Sequence, residues 1–448
     1  MKITALIAAF GLLICLPFDT HGQQFATDNI FIITSDGLRW HEVFMGAEQA
    51  IIQDHVENAK ELKELFWREE LKVRREALMP FFWSTIAEQG QLYGNRNLGS
   101  KMNVTNSSRA SYPGYNEILT GFYDDDRVIT NYPIFNPNWS ILDFFNEQED
   151  LNGSVGVVAS WWSFPEIINA PRSKVNVIAG PQGSQPSIMP QPDTLTHENV
   201  MKYIRESTPR VAMLVYDDTD NRAHEGGYEG YLKAANKFDA YVQELWEFVQ
   251  SHPQYKNRTT FLITTDHGRG IGDQWSNHGS GAAHSNEVWM AVLGPDTPAR
   301  GEDTPGQYNL NQVAASAAAF LGLEYVNERK VGKAVDGMFK FAPAVKPAVR
   351  EPSTISAELT EEQLYDIART YTEIVDRQRK QQRATPWIPT QEKADAANKK
   401  LQEDVVKIIQ DQGFTLDFYE EIVQSLRSDP DLQEIFFKNV QEIRVTME

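Results

Sequence analysis

Of the nine histidines in this 448-residue chain, His224, His267, His278 and His284 fall in one stretch that is also rich in acids. Asp266 and His267 stand side by side in TTDHGRG, directly after the apolar run Phe261-Leu262-Ile263. Carboxylate and neutral imidazole are ligands that a divalent cation such as zinc accepts, and a strand end gives such a pair a rigid support. Upstream, DDTDNRAHEGG supplies Asp220 and His224 four residues apart, a spacing that one helical turn would point in a single direction. Asp36, in TSDGLRW, adds an acid after the first apolar run. Ser111, in SYPGYNEILTG, precedes Pro113 by two residues, where a helix could start with proline in its first turn. A hydroxyl at a helix N-terminus is well placed to attack a phosphorus centre, because backbone N–H groups there favour the developing negative charge. Taken singly, each feature has an ordinary explanation as a loop pair, a turn residue or a helix cap. Packing explains their concentration poorly.

These side chains need elements to position them. Short β-branched or apolar runs at 29–34 (NIFIIT), 155–159 (VGVVA), 211–216 (VAMLVY), 259–264 (TTFLIT) and 288–293 (VWMAVL) read as buried strands of a largely parallel sheet. Helical patterns lie between them, most clearly over Tyr231–Ser251, where Phe238, Val242, Leu245 and Phe248 recur on one face. Alternating strands and helices predict an α/β fold with a mostly parallel central sheet covered on both faces. Ligands in such sheets gather at the carboxyl ends of strands, where Asp36, Asp220 and Asp266 fall. Residues 60–89 read as an added charged-then-aromatic helical stretch. Its expected role is to pack Phe81, Phe82 and Trp83 into the core, with a wall over the site as the alternative.

The bulk composition narrows the function. Lys plus Arg number 42 against 62 Asp plus Glu, a net charge of -20, which disfavours tracking a nucleic-acid backbone. Residues 1–22 resemble a secretory leader, with Lys2 ahead of a short apolar stretch, and no second apolar stretch suggests a transmembrane span. Cys15, the only cysteine, lies inside that leader, so the mature chain holds neither a disulfide nor a thiolate metal site. Export without cysteines points to a bacterial periplasm. The main domain is expected over 23–345 and an all-helical appendage over 353–448, separated by the Pro/Ala-rich FAPAVKPAVREP, with Thr360-Glu-Glu-Gln as a helix start. The appendage is a candidate surface for a protein partner.

Taken in order, TSDG, SYPGYNEILTG, Asp220-x-x-x-His224, TTDHG and a later histidine before VWMAVLGP resemble the alkaline phosphatase superfamily. The chain looks closest to the branch of nucleotide pyrophosphatases/phosphodiesterases and cofactor-independent phosphoglycerate mutases. The resemblance spans about residues 27–340 and implies two divalent ions, zinc with manganese as the alternative. One would be held by Asp36, Asp266, His267 and the Ser111 oxygen, the other by Asp220, His224 and a third histidine. His278 and His284 both precede the next strand, and the Trp-x-x-His-Gly stretch around His278 looks like the pattern in exported relatives. Ser111 would be the nucleophile, forming a phosphoseryl intermediate that water then hydrolyses. Related phosphodiesterases carry Thr-Phe-Pro-Asn where this chain has Ser111-Tyr112-Pro113-Gly114, so a phosphate contact is sought elsewhere, with Asn116 and Arg109 as candidates. The expected substrate is a small phosphate ester, mono- or diester. A sulfatase is a distant alternative because the nucleophile run lacks that family's arginine, and a non-catalytic scaffold on the same fold is the other.

Overall fold

A computed structural model of the chain describes residues 25–55, 59–131, 135–180, 190–346 and 360–384, and part of the segment 400–443. The leader reading (1–22) and half of the linker reading (347–352) lie outside the described residues.

Among the described residues ten strands form: β1 (Asn29–Ser35), β2 (Gln91–Tyr93), β3 (Ser100–Asn103), β4 (Val155–Ala159), β5 (Asn176–Ala179), β6 (Val211–Tyr216), β7 (Thr259–Thr264), β8 (Glu287–Val288), β9 (Met290–Leu293) and β10 (Gly306–Asn309). Seven of them make the main sheet in the order β2-β9-β7-β1-β6-β4-β5, and β10, β3 and β8 make a small second sheet. β4, β6, β1 and β7 pair in parallel, as expected for buried apolar runs, and β5, which the sequence reading did not foresee, extends the sheet in parallel beside β4. The 288–293 run departs from expectation: Trp289 separates β8 from β9, and β9 pairs antiparallel with β7 and with β2.

Alternation along the central strands sorts their side chains onto two cores. Phe31, Ile33, Leu214, Phe261 and Ile263 face one, together with Leu232, Phe238, Val242 and Leu245 of the Tyr228–Ser251 helix. Ile30, Ile32, Met213, Val215 and Leu262 face the other, with Tyr115, Ile118 and Leu119 of the Ser111–Thr120 helix. Both faces are therefore covered, and each fully buried leucine or phenylalanine contributes roughly 1.5–3 kcal/mol.

The 60–89 segment is broken rather than continuous, into Ala59–Phe66, Leu71–Leu78, a π-helical turn over Phe82–Ile86 and a last turn over Ala87–Gln89. Phe81, Phe82 and Trp83 are buried in the first core, so the packing role holds. The Asp239 carboxylate accepts the Phe81 and Phe82 N–H groups, each at 2.8 Å, and so satisfies donors that the π-turn leaves open.

The C-terminal helix Glu361–Ala384 begins as its sequence suggests: Gln363 N–H donates to Thr360 Oγ1 at 3.2 Å, and Thr360 N–H donates back to Gln363 Oε1 at 3.0 Å. Leu364, Ile367, Ala368 and Tyr371 of this helix cluster with Ile422, Phe436, Val440 and Ile443. Among the described residues no helix is long and apolar enough to cross a membrane.

Candidate metal centre

The ends of β1, β6 and β7 lie next to one another, and each hands a carboxylate to the same point. Asp36 follows β1 directly, Asp220 sits in the first turn of the short Asp218–His224 helix after β6, and Asp266 lies two residues beyond β7. Asp36 and Asp266 are fully buried, as is His267.

His267 Nδ1 lies 3.0 Å from the Gly268 carbonyl, which can only accept, so Nδ1 carries a proton and Nε2 is the ring atom turned into the cluster. That Nε2 is 3.3 Å from Asp36 Oδ1, 3.5 Å from Asp266 Oδ2 and 3.4 Å from Ser111 Oγ. Burial lowers the His267 pKa, but Asp266 and Asp36 more than offset it and hold the imidazole up to about 9. Burial and the neighbouring Asp36 push the Asp266 carboxyl well above the usual carboxylate range.

A second set forms beside the first. His224 Nε2 is 3.0 Å from Asp220 Oδ2 and 3.0 Å from His278 Nε2, and the His267 and His278 rings stack with centroids 4.1 Å apart. His278 Nδ1 lies 3.2 Å from the Arg109 carbonyl, so its Nε2 also faces the cluster as an acceptor. His284 lies elsewhere, with its ring 3.1 Å from Glu287 at the surface. Geometry thus brings His278, not His284, to the other five ligand candidates.

Supporting residues tie the strand ends together. Gly37 N–H donates to Asp266 Oδ1 at 3.0 Å and Tyr115 O–H to Asp36 Oδ2 at 3.0 Å. Arg269, whose guanidinium is buried, donates to the Gly37 carbonyl at 3.1 Å, to the Ser276 carbonyl and to the Asp220 carboxylate. Burial would raise Asp220, but Arg269 and His224 hold it well below the usual range. Gly37 has φ +59°, and a Cβ there would fall 2.8 Å from both Arg269 Nε and Asp220 Oδ1, so glycine is required. Asp217, at the end of β6, is a further buried acid that hydrogen-bonds Asp36; burial and then Asp36 push it well up.

Ser111 is the first residue of its helix and is 5% exposed. The expectation that free backbone N–H groups surround it needs correction. Tyr112 N–H is taken by Asn131 Oδ1 at 2.9 Å, which turns the Asn131 Nδ2 donor toward Ser111 Oγ at 3.5 Å. A side-chain amide therefore replaces a backbone donor beside the hydroxyl.

The Asn116 expectation also fails on geometry. Five residues beyond Ser111, it points about 140° away around the helix. Its fully buried amide accepts from Asn136 and Asn138, each at 3.1 Å, and donates to the Phe122 carbonyl at 3.3 Å. Arg109 stays beside the site chiefly through its backbone. Its φ is +52°, its N–H is held by Asn106 Oδ1 at 2.7 Å, and its carbonyl meets His278 and Gly279. Gly114, where related enzymes place asparagine, is explained by packing: a Cβ there would sit 2.3 Å from the Asp266 carbonyl oxygen.

Asn131, Arg269 and Asp217 escaped sequence reasoning. Asn131 belongs to no motif, whereas Arg269 lies inside TTDHGRG and Asp217 inside DDTDN, where a charged residue flanking a ligand was a readable signal.

An α/β sheet with acids and histidines gathered at its central strand ends is an arrangement able to hold divalent cations. Residues 152–325 match the family profile described as the Metalloenzyme superfamily, which agrees with the resemblance to the alkaline phosphatase superfamily read from the motifs. The matched segment contains Asp220, His224, Asp266, His267 and His278; Asp36 and Ser111 lie outside it and join through the fold. Residues 355–435 match a domain of unknown function (DUF4168). No curated protein matches the chain. Similar solved structures include a putative sulfatase from Bacteroides thetaiotaomicron, at TM-score 0.45 and 10% identity over 70% of this chain and 76% of that one. Lipoteichoic acid synthase from Listeria monocytogenes gives 0.44 and 9% over 70% and 76%. Murine ectonucleotide pyrophosphatase/phosphodiesterase 5 gives 0.43 and 11% over 66% and 96%. Scores of this size transfer neither substrate nor mechanism.

Proposed function

We propose that the protein is a two-metal phosphoric ester hydrolase in which Ser111 is the nucleophile. The observation that carries this reading is the convergence of two acid–histidine sets on one hydroxyl. Asp36, Asp266 and His267 would hold the first ion beside Ser111; Asp220 and His278, which also converge with His267, would hold the second together with His224, 3.0 Å from both Asp220 Oδ2 and His278 Nε2. The donor chemistry fits. Asp36 Oδ1 and Asp266 Oδ2 are buried without a hydrogen-bond partner, and both face His267 Nε2, a ring atom whose proton a bound cation would displace. Mixed imidazole and carboxylate ligands favour zinc, with manganese second. When bound, a cation pair stabilises charge on phosphoryl oxygens and lowers the pKa of a nearby hydroxyl.

The chain's own residues supply the rest. Ser111 Oγ gives up its proton and attacks the phosphorus, the bond to the ester oxygen breaks and the leaving alcohol takes up a proton; water then cleaves the phosphoseryl ester, restoring the serine hydroxyl and releasing the phosphate product. Asn131 offers its Nδ2 donor to a non-bridging oxygen, and Arg269 and the Arg109 carbonyl keep the ligands aimed. The Arg109 guanidinium, half-buried at the edge of the site, is a second candidate contact. Two ion sites suit the higher negative charge of a phosphoryl group better than that of a sulfate ester. In this reading 23–345 is the hydrolase unit, 353–448 a helical appendage and 1–22 an export leader, so the substrate is a small phosphate ester met in the periplasm.

The test is metal content together with hydrolysis of p-nitrophenyl phosphate, bis-p-nitrophenyl phosphate and p-nitrophenyl sulfate, by the native protein and by Ser111→Ala. The expected result is two ions per chain, preference for a phosphate ester, and a loss of at least ~10³-fold in the variant with both ions retained. Preference for the sulfate ester would make the protein a sulfatase. Bound ions with no turnover of any ester would make it a scaffold.

A further inference from the structure

The loop 124–131 connects the candidate active site to the C-terminal helical region. At one end, Asp124 anchors it by accepting from Arg127 Nε at 2.6 Å, Asn138 Nδ2 at 2.9 Å and Arg329 Nη1 at 3.2 Å. At the other, Asn131 grips Tyr112 N–H and faces Ser111. Between these ends, Tyr371 of the Glu361–Ala384 helix donates its hydroxyl to the Arg127 carbonyl at 3.4 Å. Ile129 packs onto the apolar cluster that Leu364, Ile367, Ala368 and Tyr371 build with the later helical segments. The Ile129 carbonyl accepts from Ser108 Oγ at 2.7 Å, so the same residue is pinned to the loop leading into the nucleophile.

We infer that the helical region is a positioning element of the active site. Through Tyr371 and Ile129 it fixes the loop backbone that carries Asn131, and so sets where the Asn131 donor sits relative to Ser111. The physical basis is the separation of Ile129 from Asn131 by a single residue. An apolar side chain released into water lets the backbone beside it move, and a displacement of about 1 Å at a catalytic contact costs on the order of 10²-fold in rate. The inference rests on the reading of Ser111 and Asn131 as working groups, and it assigns a role to a region with no chemistry of its own.

The test uses the full chain. Tyr371→Ala, Tyr371→Phe and Ile367→Asp are compared with the native protein by hydrogen exchange of loop amides and by turnover of the preferred p-nitrophenyl ester. Tyr371→Ala and Ile367→Asp should speed exchange over 124–131 by about tenfold or more and leave β1, β6 and β7 unchanged. They should lower kcat by about tenfold with KM and metal content held, and Tyr371→Phe, which keeps the ring packed but cannot donate to the Arg127 carbonyl, should fall between them and the native protein. In an Asn131→Ala background the same substitutions should cost little more, because the effect runs through that side chain. Unchanged loop exchange, or losses that multiply with Asn131→Ala, would overturn the inference. If the native protein hydrolyses none of the esters, the reading as a hydrolase fails while the exchange data still decide whether the helical region holds the loop.

Discussion

Asn131 uses both ends of its amide: the oxygen caps the backbone of Tyr112, which fixes the nitrogen as the donor facing Ser111. An aspartate of the same shape would cap equally well and could not donate. Asn131→Ala and Asn131→Asp should therefore each lower turnover of the preferred ester by about 10²–10³-fold, with Asp at least as poor as Ala, while metal content is unchanged. Steady-state kinetics beside metal analysis checks this, and an active Asp variant would contradict the donor role. The six ligand candidates were legible because each sits in a short run with its own chemical signature. Asn131 was not legible, because twenty residues separate it from Ser111 and nothing local distinguishes it from an ordinary loop asparagine.

The central strands β1, β4, β6 and β7 were legible as elements because parallel strands buried on both faces leave continuous apolar runs, whereas the short or partly polar β2, β3, β5 and β10 leave none. Such runs do not record direction, so β9 turned out antiparallel. The break of segment 60–89 was hidden for a different reason: its stabilising acceptor, Asp239, comes from a helix far along the chain. Gly114 shows an element-level constraint with a functional cost. The Ser111–Thr120 helix approaches the Asp266 backbone so closely that a methyl group at position 114 must displace one or the other. Gly114→Ala should weaken metal binding and lower the unfolding midpoint together. The expected stability loss is about 1–3 kcal/mol, read by thermal unfolding with and without added zinc. A variant that keeps native affinity and midpoint would show that the helix can slide.

For the molecule as a whole, acid is expected to weaken the fold through His41 as well as through the carboxylates. Burial, and then Arg39, push His41 down to about 4. The unfolded chain takes up that proton near pH 6.5, whereas the folded chain resists until about pH 4. Stability from this group is therefore complete above about 6.5 and declines as pH falls toward 4, by about 2–3 kcal/mol in all. Denaturant unfolding at a series of pH values should show the decline, and His41→Gln should flatten it by that amount. An unchanged slope in the variant would place the acid sensitivity elsewhere.

The ligands run from Asp36, near the start of the described chain, to His278, and they meet only when β1, β6 and β7 lie side by side. A chain emerging from a ribosome or threading through a membrane pore holds the full set of candidates only once His278 is out, with 170 of its 448 residues still to follow. If the chain is exported unfolded and binds the proposed ions, they are drawn from the compartment where folding finishes, and the supply of divalent cations there sets how much of the synthesised protein becomes active.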